Sequence, residues 1–83
     1  MDFIIESLEM VKNEIPELNN QINEVLVNIS DKSKSTEQKL KISIPIIPTL
    51  VVYEFEKDVS DLISKRIRQL DKLKIRLREQ YKW

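Results

Sequence analysis

Residues 39–56 read KLKISIPIIPTLVVYEFE, and this stretch decides the fold that the sequence predicts. Residues 39–44 alternate between polar and apolar side chains, as a half-buried β-strand does. Residues 49–56 are rich in the β-branched and aromatic residues that favour strands. We therefore expect two strands that are joined by a four-residue loop at 45–48.

One register of this predicted hairpin suits both of its faces. If 45–48 is the loop, Ile42 lies opposite Val51 on an apolar face, and Lys39 lies opposite Glu54 on the other face. The loop itself is unusual, because tight hairpin turns take Asn-Gly or similar residues and this loop reads Pro-Ile-Ile-Pro. An extended, bent strand over the same residues is the alternative interpretation.

The predicted hairpin also supplies the predicted interaction surface. A two-stranded hairpin is marginally stable alone in water, so we expect it to pack on helices, to pair with a neighbouring subunit, or both. Its tip leaves apolar side chains exposed, and exposed apolar clusters mark interfaces, unless the tip folds back onto a helix. The residues predicted to form the interaction surface are Ile44, Ile46, Ile47, Leu50 and Val52.

Residues 1–30 predict an acidic amphipathic helix. Their apolar residues recur with alternating spacings of four and three, which is the pattern of a coiled-coil or bundle helix. Pro16 interrupts the run because proline lacks an amide hydrogen, but the apolar pattern keeps its phase across it. We favour a kink near Pro16, and two separate helices are the alternative. The seam of this helix is Ile4, Leu8, Val11, Ile15, Leu18, Ile22, Val25 and Ile29.

The remaining segments are a polar loop at 31–38 and a second, basic helix at 58–83. The seam of the second helix is Ile63, Ile67, Leu70 and Leu77. The predicted fold class is therefore α+β and mostly α, in the order α-β-β-α. It is a single domain over 1–83, in which two long amphipathic helices flank the hairpin and pack as in a coiled coil.

Charge is distributed unevenly along a chain whose 14 basic and 14 acidic residues cancel. Residues 1–31 carry a net charge of −6, and residues 57–83 carry +5. Opposite charges of this size predict contact between the two segments, within one subunit or between neighbours. The alternative is two faces that are solvated separately, because exposed ion pairs contribute little to stability.

Composition argues against catalysis. The sequence contains no His, Cys or Gly, so it lacks the usual acid/base side chain, thiol chemistry and glycine-rich phosphate loops. We expect a protein that is not an enzyme and that uses no cofactor and no metal. The N-terminal residues, MDFIIESLEM, are acidic where a secretory signal is basic, so we expect a cytoplasmic protein.

The leading functional hypothesis is a homo-oligomeric assembly or adaptor protein, because a chain of 83 residues without disulfides buries a small core. A first alternative is a membrane-active protein that inserts the apolar hairpin tip. A second alternative is a nucleic-acid-binding protein, with Tyr81 and Trp83 stacking on bases. Its phosphate contacts are predicted at Lys65, Arg68, Lys72, Arg76 and Arg78.

Residues 39–56, about a fifth of the chain, also resemble a short module of bacterial, often cyanobacterial, conflict and signalling proteins. In those proteins the module accompanies pentapeptide-repeat, nucleoside-triphosphatase-switch or caspase-like regions. The resemblance implies a non-catalytic component of a bacterial defence or stress-signalling system that acts by assembly, with an effector protein as a further partner. It brings no catalytic residues with it.

Overall fold

A computed structural model describes residues 1–82, and the regular structure of that part of the chain is entirely helical. The helices are α1 (Asp2–Glu14), α2 (Asn19–Ile29), α3 (Thr36–Ser43), α4 (Ile46–Glu56) and α5 (Asp61–Tyr81), and a 3₁₀ turn at Pro16–Leu18 lies between α1 and α2. The predicted α+β class and the β-hairpin at 39–56 are therefore wrong, and this segment forms α3 and α4. Trp83 lies outside the described residues, and with it the base-stacking role predicted for its side chain.

The two prolines of residues 39–56 fall at positions where a helix does not need a backbone amide hydrogen, which proline lacks. Pro45 is the N-cap of α4, and Pro48 lies in its first turn, where backbone N–H groups have no partner within the helix. The carbonyl of Ile44 instead accepts the N–H of Ile47, at 3.1 Å. Ile44 and Pro45 both keep right-handed helical backbone angles, so α4 follows α3 almost without interruption.

The helical form of this segment buries one side of it in the core. Leu40, Ile44, Ile47 and Leu50 are spaced by four, three and three residues, which places them on one side of the α3–α4 segment, and all four are buried. The β-like alternation of residues 39–44 uses some of the same positions, so both periods are present in one sequence. Burial against the other helices decides for the helix, because β-propensity depends strongly on tertiary context.

The loop predicted at 31–38 ends earlier, because a capping box starts α3. The Ser35 hydroxyl oxygen accepts the N–H of Gln38 at 3.2 Å, and the Gln38 side-chain oxygen accepts the N–H of Ser35 at 2.8 Å. Residues 36–38 therefore belong to α3. The sequence Ser-Thr-Glu-Gln at 35–38 carries this signature and could have revealed the helix start.

The start of the loop is fixed by Asp31. Its carboxylate accepts the Ser33 hydroxyl at 2.7 Å and the Ser33 N–H at 2.9 Å, and it forms an ion pair with Lys34 at 3.2 Å. These interactions, led by the Ser33 hydroxyl, lower the pKa of Asp31 from 3.8 to about 2. The carboxylate thus stays ionised while it holds the turn between α2 and α3.

Replacing Ser35 with alanine tests the capping box. We expect the Ser35→Ala variant to lose about 1 kcal/mol of unfolding free energy. The N–H of Gln38 loses its acceptor, and the reciprocal hydrogen bond from the N–H of residue 35 to the Gln38 side chain is weakened. Urea denaturation followed by circular dichroism measures this loss. Thr36→Ala is the control, since its side chain lies outside the box, and an equal loss in both variants would contradict the capping role of Ser35.

The break between α1 and α2 is a complete interruption of the helix. Ile15 has φ −119° and ψ 83°, which is outside the helical region, and Pro16 then starts the 3₁₀ turn. α1 and α2 pack against each other, which collinear helices cannot do. The chain therefore takes the two-helix alternative, and the favoured kink near Pro16 is corrected. The apolar phase survives because Ile15 and Leu18, on both sides of the proline, are buried in the core.

The core is shared by all five helices of the described chain. Every residue of the two predicted seams is buried except Val25, which is half-buried. These side chains meet Leu40 of α3 and Ile47 and Leu50 of α4, so the seams do not pack on each other as a coiled coil. The coiled-coil-like packing is replaced by a small α-helical bundle, in which α5 contacts α1 and α4 and α2 contacts α1, α3 and α4.

Contacts of Ser60 and Arg66 fix α5 against α1. The Ser60 hydroxyl caps α5 by accepting the N–H of Ile63 at 3.4 Å, while the backbone N–H of Ser60 donates to the Glu14 carboxylate at 3.0 Å. Farther along α5, Arg66 lies 5.1 Å from the centre of the Phe3 ring and donates to the Ser7 hydroxyl at 3.2 Å. These contacts set which side of α5 faces the core and which side faces outward.

Candidate interaction surface

The structure places most of the predicted interaction surface inside the core. Ile44, Ile46, Ile47 and Leu50 are buried, and Ile47, expected at an exposed hairpin tip, is 1% exposed. Val52 alone among the five predicted residues is on the surface, with 50% of its area exposed. The prediction that Ile46 and Ile47 are exposed is wrong because a helix, unlike a hairpin loop, turns these positions toward the other helices.

The opposite side of α4 carries Val52 together with exposed apolar residues outside the predicted surface. Pro45, Pro48, Val52 and Phe55 are spaced by three, four and three residues, so they lie along one side of α4, and all are exposed. Phe55 is 85% exposed. We call these four residues the α4 stripe. The sequence shows this 3-4-3 spacing, but the hairpin prediction assigns the same residues to a loop and a strand.

The α4 stripe meets α5 at Phe55, beside a polar contact between the two helices. The Glu54 carboxylate accepts a hydrogen bond from the Ser64 hydroxyl and forms an ion pair with Arg68 at 3.0 Å. Beside this contact, an open groove of about 380 Å³ between the helices is lined by Val51, Glu54, Phe55, Arg68, Asp71 and Lys72. The apolar surface of α4 is therefore continuous with charged side chains of α5.

Four of the five predicted nucleic-acid contacts lie on one outward side of α5. Lys65, Arg68, Lys72 and Arg76 are spaced by three, four and four residues, and all are exposed. We call them the cationic row. Arg78 is also exposed, but it follows Arg76 by two residues and so points to a different side of the helix. This placement leaves the row accessible to a partner of negative charge.

Little of the opposite charge of the two ends is paired within the subunit. Within residues 1–82, one ion pair joins the acidic first segment to α5, between Glu6 and Arg66 at 3.4 Å. In the cationic row, Arg68 pairs with Glu54 of α4, and the other three cations form no ion pair with described residues. The charge asymmetry that the sequence shows is therefore displayed on the surface.

A second open groove, of about 540 Å³, lies between the start of α1 and the middle of α5. Its floor is apolar, with Phe3, Ile4 and Leu73 among its residues, and Lys72 and Arg76 lie at its edge. Lys72 thus lines both grooves, so the cationic row runs between two partly apolar depressions.

The described part of the chain has neither a membrane-spanning helix nor a metal-binding cluster. No helix there has both the length and the apolar character needed to cross a membrane. Residues 1–82 also bring no three carboxylate, histidine or cysteine side chains together in an arrangement for a metal ion. The membrane hypothesis depended on insertion of a hairpin tip, and the described residues contain no hairpin.

Fold and surface together define a small all-α protein with an apolar and cationic face. No family model matches this chain, and no curated protein and no solved structure matches it either. The resemblance of residues 39–56 to a module of bacterial conflict proteins stays a prediction.

Proposed function

We propose that this protein is a non-catalytic assembly protein that binds further copies of itself through one surface, made by the α4 stripe together with Arg68, Lys72 and Ile75 of α5. We call it the α4–α5 surface. The observation that carries the proposal is the 85% exposure of Phe55, which lies at the end of the apolar α4 stripe nearest Arg68. Contiguous exposed apolar residues with a polar border are typical of protein interfaces.

The composition of the α4–α5 surface supports this function. Aromatic residues and arginine are enriched among the residues that dominate binding energy, and Phe55 lies beside Arg68 in the same groove. Ile75, which is also exposed, extends the apolar area onto α5. Burying a fully exposed phenylalanine side chain contributes about 1.5–3 kcal/mol, so association removes an unfavourable exposure that the single chain cannot remove.

The wider role is proposed from the resemblance of residues 39–56. It suggests that the assembly serves a bacterial defence or stress-signalling system and presents an effector protein as an adaptor does. The α4–α5 surface lies within and beside the resembling segment, which contains the whole α4 stripe.

The molar mass of the full chain in solution tests self-association directly. We expect light scattering and sedimentation to give a mass that is a multiple of 9.9 kDa and rises with protein concentration across the micromolar range. A constant mass of 9.9 kDa over that range, with the helical circular dichroism spectrum intact, would overturn the proposed function.

A further inference from the structure

Two copies of the α4–α5 surface are poorly suited to bind each other face to face. In such a symmetric contact, the cationic row of each copy meets either the other cationic row or the uncharged α4 stripe, and neither supplies a negative charge. Lys72 and Arg76 have no ion-pair partner among residues 1–82. In a symmetric contact their charges would therefore lose water without gaining an opposite charge. The occupant of this surface therefore carries negative charge beside an apolar residue.

The outward side of α2 has this composition. Glu17, Asn20, Glu24 and Val27 are spaced by three, four and three residues along the 3₁₀ turn and α2, and all are exposed. Val27 is 72% exposed, and α2 contains no basic residue. We call these four residues the α2 face. It has the same spacing as the α4 stripe and the opposite charge to the cationic row.

The α2 face cannot reach the α4–α5 surface of its own chain. Ile22 and Ile29, on the other side of α2, are buried in the core, so the α2 face points away from the bundle. The acidic carboxylates Glu17 and Glu24 form no ion pair with described residues. Both faces are therefore open to a second copy at the same time.

We infer that the α2 face of one copy binds the α4–α5 surface of the next, with Val27 against the α4 stripe and Glu17 and Glu24 toward the cationic row. This inference rests on the proposed self-association and specifies its geometry. Complementary charge across a contact fixes its register and disfavours wrong partners, and the exposed Val27 supplies an apolar contact between the charged positions. The contact joins two different faces, so its head-to-tail repetition builds a ring or an open chain, and each copy contributes both faces.

Reciprocal charge reversal in the full chain tests this geometry. The basic-face variant carries Lys72→Glu and Arg76→Glu, and the acidic-face variant carries Glu17→Lys and Glu24→Lys. Each alone is expected to self-associate about tenfold more weakly or worse than wild type, because like charges then meet at every contact. An equimolar mixture of the two variants is expected to recover assembly, since every contact again joins opposite charges.

The control and the remaining outcomes separate the two proposals. Lys57→Glu with Lys82→Glu makes the same change in net charge as the basic-face variant, at exposed positions outside both faces, and is expected to assemble like wild type. Circular dichroism confirms that each variant is folded. If wild type assembles but the mixture shows no recovery, or if the single variants assemble normally, the head-to-tail contact is overturned while self-association stands. If wild type is a monomer, the proposed function itself fails.

Discussion

Replacing Ile47 with alanine is expected to lower the free energy of unfolding by about 2–5 kcal/mol. Ile47 is 1% exposed and lies in the core between α4 and the other helices, so the shorter side chain loses buried contacts and leaves a cavity. Urea denaturation followed by circular dichroism measures the change, as a lower midpoint at unchanged denaturant dependence.

Leu62→Ala is the matched control for this measurement. Leu62 is 59% exposed on α5, so its truncation is expected to change stability by less than about 1 kcal/mol. In the predicted hairpin, Ile47 lay at an exposed tip and its truncation would have cost as little as that of Leu62. Equal effects of the two substitutions would therefore contradict the helical structure of residues 39–56.

Replacing Phe55 with alanine is expected to weaken self-association by about tenfold or more, and to leave the stability of the dissociated chain nearly unchanged. Both effects follow from the 85% exposure of Phe55, which gives the side chain few contacts within its own chain, and from its position in the groove beside Arg68 and Lys72. Sedimentation over a concentration series measures the association constant, and urea denaturation at the lowest concentration measures stability.

The control for Phe55→Ala is again Leu62→Ala. Leu62 lines one shallow depression with Glu14 and Ser60, where α5 starts beside the end of α1, and a second one on α5 with Arg68, but it is not part of the α4 stripe. Its loss is expected to leave assembly at the wild-type level. If both variants weaken assembly to the same extent, exposed apolar area in general, and not the α4–α5 surface, drives association.

Sequence periodicity is sufficient for the first and last parts of this chain. The alternating spacing of four and three residues in 1–30 and the related spacing in 58–83 are local patterns, and helices occupy these regions in the structure. The absence of glycine agrees with this architecture, because within residues 1–82 only Lys82 adopts a positive φ, of 55°. The periodicity does not determine the break at Pro16. A continuous apolar phase is compatible both with one kinked helix and with two separate helices.

Residues 39–56 were misassigned because two periods coexist in them. Leu40 and Ile44 satisfy an alternating strand pattern and a helical pattern equally well. Two local signals favoured the helix: the capping box at 35–38, and prolines placed where the first turn of a helix has no use for an amide hydrogen. The prediction rests on alternation and β-branched composition and uses neither signal, although β-propensity is the more context-dependent property.

The sequence by itself determined the helical ends of the molecule, their opposite charge and the apolar character of the middle segment, because each is a property of neighbouring residues. Only the tertiary structure decided which apolar residues of α4 serve the core and which serve the surface. The helix is apolar on nearly all sides before Glu54, so its own pattern selects no face. Packing against α2 and α5 buries Ile47 and Leu50 and leaves Val52 and Phe55 exposed. The helices that cover one side of α4 come from other parts of the sequence, so the pattern of α4 alone does not show which side they cover.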